Sequence, residues 1–128
     1  MKKLIWLTSG TGFIGKNLSK RLKNEKFEFI TTSKKEINLL NANEIKKFLK
    51  KEKPKIVIQT AGEVGGIKKN IINRINLLEE NLLISTNLIK YSYEYNVDKF
   101  INLVSSCIYP KNIKKIQSEE DINIGKVE

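Results

Sequence analysis

The 128-residue sequence predicts an α/β fold in which a parallel sheet carries helices on both faces. Four short apolar runs have the length and residue types of strands, and the segments between them carry apolar residues at helical spacing. This alternation is the order that produces parallel strands joined by right-handed crossovers. A third observation marks the working end of the sheet: three glycines fall within six residues directly after the first run.

Leu4, Ile5, Trp6 and Leu7 make the first run, over residues 3–9, continuous enough for a strand buried on both faces. Phe13, Ile14, Leu18 and Leu22 alternate with Lys16, Asn17, Lys20 and Lys23 and predict a helix over 12–24. Aromatic and β-branched residues at 27–32 predict strand two. Over 42–51, Ile45, Phe48 and Leu49 lie on one side of an amphipathic helix with lysines on the other, and Pro54 stops it. Residues 56–58 are strand three, followed by a loop holding Gly62, Gly65 and Gly66. Ile71, Ile75, Leu78, Leu82, Ile89 and Tyr93 trace a stripe that predicts a long helix over 75–95. Strand four follows at 100–104, and Ser105 begins a turn. Beyond Pro110 the periodicity gives way to Lys111, Asn112, Lys114, Lys115, Glu119, Glu120 and Asp121, with no repeat or low-complexity tract.

The length suits one folding unit over 1–128, and a 40% apolar share with five Phe, four Tyr and one Trp is enough for a packed interior. No run approaches the roughly 20 apolar residues of a membrane span, and the opening strand passes straight into the glycine turn, so the expectation is a soluble, cytoplasmic protein without a membrane partner. The single cysteine, Cys107, forms no internal disulfide. A formal charge of +10 suits an anionic partner. The lysines are scattered rather than set in a nucleic-acid motif, so a solvated basic face or a phosphorylated small molecule is expected instead of nucleic acid.

Ser9, Gly10, Thr11, Gly12, Phe13, Ile14 and Gly15 stand where a dinucleotide-binding turn of a Rossmann-type sheet would be. Glycine lets the backbone approach a pyrophosphate, and the free N–H groups of the helix start face its oxygens. The plainer alternative is a tight turn that needs glycine for its dihedral angles. Cofactor choice is decided after strand two, where an acid favours NAD and a base favours NADP. The residues there are Thr31, Thr32, Ser33, Lys34 and Lys35, with no acid until Glu36, so NADP is expected with Lys34 as its phosphate partner. Solvated loop lysines are the alternative.

Three segments go further: Ser105-Ser106-Cys107-Ile108-Tyr109-Pro110, Val64-Gly65-Gly66-Ile67 and Asn38-Leu39-Leu40-Asn41. Together they resemble the GDP-L-fucose synthase branch of the extended short-chain dehydrogenase/reductase family, in order and along essentially the whole chain. The resemblance implies an NADPH-dependent enzyme that epimerises GDP-4-keto-6-deoxy-D-mannose at carbons 3 and 5 and reduces its ketone, giving GDP-L-fucose. It implies Ser105 as the donor to the ketone and Cys107 as the proton-transfer residue. It adds Asn38, Leu39 and Ala61 to the cofactor set and Gly65, Gly66 and Asn70 to the substrate set; no metal is implied. Simpler roles stand beside these: Cys107 as a small buried residue, Ser105 as a turn cap, Asn70 as a turn or cap residue. Asn81 is expected to make a structural hydrogen bond.

The sequence also departs from that pattern. Ser9 stands where the family's turn has its first glycine. The family's Tyr-x-x-x-Lys pair and catalytic histidine are missing: Tyr95 and Lys99 have the spacing but precede Ser105, and the sequence has no His. The chain is therefore expected to be the N-terminal portion of a longer enzyme, with the sheet incomplete at its C-terminus and the substrate domain absent. On its own it is expected to be inactive, with strand four an exposed apolar edge that invites association, and the full-length enzyme to be a homodimer. The alternatives are a relative acting on another GDP-linked keto sugar, such as a modified heptose, a non-catalytic NADP-binding module, and an anion-binding protein.

Overall fold

The computed structural model describes residues 3–111, 116–122 and 124–126. Its elements are β1 (Ile5–Leu7), α1 (Phe13–Asn24), β2 (Phe29–Thr31), α2 (Ala42–Glu52), β3 (Ile56–Gln59), α3 (Ile67–Ile72), α4 (Arg74–Glu94) and β4 (Lys99–Asn102), followed by single 3₁₀ turns at Ser106–Ile108 and Glu119–Asp121. The four strands form one sheet in the order β2-β1-β3-β4, all parallel. Reversal of direction from β1 to β2 on one side and β3 on the other creates a crevice at the strands' carboxyl ends, the standard ligand position in open α/β sheets.

Side-chain alternation divides the interior into two cores. Trp6 and Val57 point to one face, where they meet Ile45 and Leu49 of α2 and Ile84, Leu88 and Tyr91 of α4. Ile5, Leu7 and Ile58 point to the other and pack on Leu22 of α1. Helices thus cover both faces. Trp6 is fully buried, its ring centroid 4.5 Å from that of Phe48. Burying such a side chain contributes on the order of 2–3 kcal/mol, the largest single apolar contribution in β1. At the opposite end of the sheet Asp98 accepts from Lys3 at 2.8 Å and lies 3.6 Å from Lys55, linking the starts of β1, β3 and β4.

Several elements differ from the sequence reading. β4 runs from Lys99 to Asn102 because its pairing with β3 ends at Gln59, so Leu103 and Val104 leave the sheet and are exposed. Residues 67–72, ahead of the helix expected over 75–95, form a separate helix α3, divided from α4 by Asn73. The stripe Ile71, Ile75, Leu78, Leu82, Ile89 and Tyr93 faces outward, each residue at least half exposed, while α4 buries Leu77, Ile84, Leu88 and Tyr91. Apolar residues surround α4, so periodicity alone does not say which face meets the sheet. No helix among the described residues is long and apolar enough to cross a membrane. Expectations for Asn112, Lys114 and Lys115 lie outside the described residues.

Candidate functional site

Past the ends of β1, β2 and β3, threonine hydroxyls continue the sheet's hydrogen bonding. Thr8 Oγ1 accepts from the Thr60 and Ala61 amides at 3.1 and 3.2 Å. Thr60 Oγ1 donates to the Ser9 carbonyl at 3.0 Å and accepts from the Ser9 amide at 3.2 Å. The Trp6 indole donates to Thr32 Oγ1 at 3.0 Å, and that hydroxyl donates onward to the Thr8 carbonyl at 3.3 Å. Thr8 and Thr32 are both buried, so these bonds satisfy groups that would be costly to leave unpaired. Ser9, which stands where the family's turn has its first glycine, is held on both backbone groups by Thr60.

The glycine turn is required by close approach rather than by dihedral angle, since no described glycine has positive φ. A Cβ on Gly15 would overlap the Ser9 carbonyl oxygen, so only glycine lets α1 pack this tightly on the end of β1. A Cβ on Gly10 would come within 2.6 Å of the Thr31 side chain. Gly12 is the N-cap of α1, with no side-chain cap and no acid in the first turn, so the initial N–H groups are left for an anion. This arrangement fits a dinucleotide pyrophosphate. Phe13 and Ile14 contribute backbone only, their side chains turned to solvent.

Thr8, Ser9 and Thr11 form the base of a cleft whose walls are the segment around Asn38, Leu39 and Leu40 on one side and Ala61, Gly62 and Glu63 on the other. Lys34 stands at its rim, and Ile37, Ile84 and Glu80 complete the lining. Of the sequence-derived set, Ser9, Thr11, Lys34, Asn38, Leu39 and Ala61 meet here, whereas Gly10, Gly12, Phe13, Ile14 and Gly15 support the turn beside it. Glu63, Glu80 and Ile84 were not anticipated; they reach the cleft through tertiary packing, and no local pattern marks them. Ile37, Leu39, Leu40, Ala61 and Ile84 in the lining suit a flat base and the Lys34 ammonium suits a phosphate.

The Glu36 carboxylate accepts from the Ser33 hydroxyl at 2.6 Å and amide at 2.8 Å, bonds that hold its carboxyl below the usual carboxylate range. Glu63 is likewise lowered, first by its ion pair with Lys69 and further by the Lys34 charge.

The substrate and catalytic candidates lie outside this cleft. Asn70 Nδ2 donates to the Gly65 carbonyl at 3.3 Å, and Gly66 is the N-cap of α3. Asn81 makes the expected structural bonds, to both backbone groups of Glu63. Beyond β4, Ser105 caps the 3₁₀ turn, its Oγ accepting from the Cys107 amide at 3.2 Å. Cys107 is exposed, so the buried apolar role does not apply among the described residues, and with Ser106, Tyr109 and Pro110 it lines a second depression. Tyr95 and Lys99 lie at the opposite end of the sheet, where α4 ends and β4 begins.

Known proteins share this arrangement. GDP-L-colitose synthase of Yersinia pseudotuberculosis is 41% identical over 124 residues, 97% of this chain and 40% of that protein. GDP-L-fucose synthase of Sinorhizobium fredii is 36% identical over 126 residues, 98% of this chain and 40% of that protein. A solved GDP-mannoheptose C4 reductase from Campylobacter jejuni with NADP bound superposes with a TM-score of 0.89 at 31% identity, covering 99% of this chain and 38% of that one. The chain thus spans about 40% of the length of the curated relatives it matches. The family model for NAD dependent epimerases/dehydratases matches residues 5–128. With fold, glycine turn and cleft in agreement, the chain belongs to the NAD dependent epimerase/dehydratase family.

Proposed function

We propose that this chain supplies the cofactor-binding part of an NADP-dependent epimerase/reductase acting on a GDP-linked 4-keto sugar, with GDP-4-keto-6-deoxy-D-mannose as substrate and GDP-L-fucose as product. The observation that carries the cofactor reading is the cleft with the glycine turn beside it: an uncapped helix start for the pyrophosphate, apolar lining residues for the base and Lys34 for the 2′-phosphate. NADPH bound there supplies the hydride. The sugar class rests on relatives whose names specify GDP sugars.

Ser105 Oγ accepts from the Cys107 amide, which leaves its own proton free to donate to a ketone oxygen. Such a bond stabilises the charge that develops on that oxygen both in proton removal from the adjacent carbons and in reduction. The exposed Cys107 thiol, two residues on, moves the proton at those carbons. The heptose reductase likeness favours a second substrate, a GDP-linked keto-heptose, handled by the same residues.

The test supplies the whole protein that carries this chain with each GDP-keto sugar and follows loss of reduced-nicotinamide absorbance. Consumption of NADPH with the 6-deoxy sugar supports the first substrate; consumption with the heptose alone replaces it. No consumption with either overturns the proposal. Ser105→Ala is expected to lower kcat roughly 100-fold, and Cys107→Ser to suppress exchange of the sugar's carbon-bound protons with solvent.

A further inference from the structure

We propose that Asn81 and Asn87 are positioning residues that set the distance between the two walls of the nucleotide cleft, an inference that rests on the cofactor reading above. Both lie on α4, three residues to either side of Ile84, which lines the cleft. Asn87 Nδ2 donates to the Leu39 carbonyl at 3.1 Å and to the Leu40 carbonyl at 3.4 Å. Asn81 Oδ1 accepts from the Glu63 amide at 2.8 Å, and its Nδ2 donates to the Glu63 carbonyl at 2.8 Å. Leu39 and Leu40 belong to one wall and Glu63 to the other.

Neither wall segment is helix or strand, so no ladder of backbone bonds fixes its position. α4 does so instead. Leu88 is fully buried and Ile84 and Tyr91 nearly so, which anchors the helix against the sheet. Six residues of helix separate the two asparagines by about 9 Å. An asparagine side chain has only two torsions, so each amide transfers the helix's position to the loop it holds. Asn81 also donates to the Leu77 carbonyl at 2.8 Å, which locks its own rotamer. A base enters between walls already at their working separation, and the ordering cost of two loops does not fall on the binding step.

The test compares the full chain with Asn81→Ala and Asn87→Ala variants by calorimetric titration with NADPH and with adenosine 2′,5′-bisphosphate, alongside urea unfolding. Each variant is expected to weaken both ligands roughly five- to tenfold. A merely structural role would lower the unfolding midpoint and leave the affinity of the folded protein unchanged, and that result overturns the proposal while the cofactor reading stands. Absence of NADPH binding by the unaltered chain overturns both. Should the variants fail to fold, amide exchange in the unaltered chain decides: the Glu63 amide is expected to be protected before ligand is added, and free exchange there overturns the proposal.

Discussion

Two glycines of the turn separate packing from tolerance. Gly15→Ala forces a methyl into the Ser9 carbonyl oxygen, a backbone atom fixed by Thr60, and should destabilise the chain by roughly 2–3 kcal/mol in urea unfolding. Gly12→Ala places its methyl 3.6 Å from Ser9 Oγ and should leave the fold intact. Lys34→Ala should weaken NADPH roughly tenfold or more while hardly changing NADH, because it removes one charge-assisted contact to the 2′-phosphate; titration of both dinucleotides checks this. Lys34 was legible because it follows strand two, whereas Asn38, Leu39 and Ala61 came only through the family resemblance. Glu63, Glu80 and Ile84 were not legible, because a bend after β3 and one face of α4 bring them to the cleft.

Helix α2 announces itself through Asn41, whose side chain accepts from the Asn43 amide and donates to Glu44. Asn41→Ala should cost about 1 kcal/mol in thermal or urea unfolding. At the far end of the sheet, Asp98 is held below the usual aspartate range chiefly by its bond to Lys3. A depressed carboxylate contributes stability above its unfolded pKa and loses it as pH falls through the lowered folded value. Stability measured from neutral pH to below about pH 4 should therefore fall more steeply for the native chain than for Asp98→Asn, by a small amount because the pair is exposed. The order of the four strands and of α1, α2 and α4 was readable from apolar spacing; α3 was not. The orientation of α4 was not: Leu77, Ile84 and Leu88 form one stripe and Ile75, Leu78 and Leu82 another, and only packing against Trp6 and Val57 chooses between them.

For the molecule as a whole, that second stripe is an exposed apolar strip along one side, and β4 is an edge of the sheet. Surfaces of this kind associate. Sedimentation of the chain should show concentration-dependent self-association that Leu78→Glu with Leu82→Lys reduces without altering the fold. The roles proposed for Ser105 and Cys107 rest on the family resemblance and not on spacing or periodicity. The central proposal is that the cleft beside the glycine turn takes a phosphorylated dinucleotide. Calorimetric titration of the chain with NADPH and then NADH tests that claim most directly. Saturable NADPH binding, at least tenfold tighter than NADH, is the expected result; no binding, or equal affinity for the two, would contradict it.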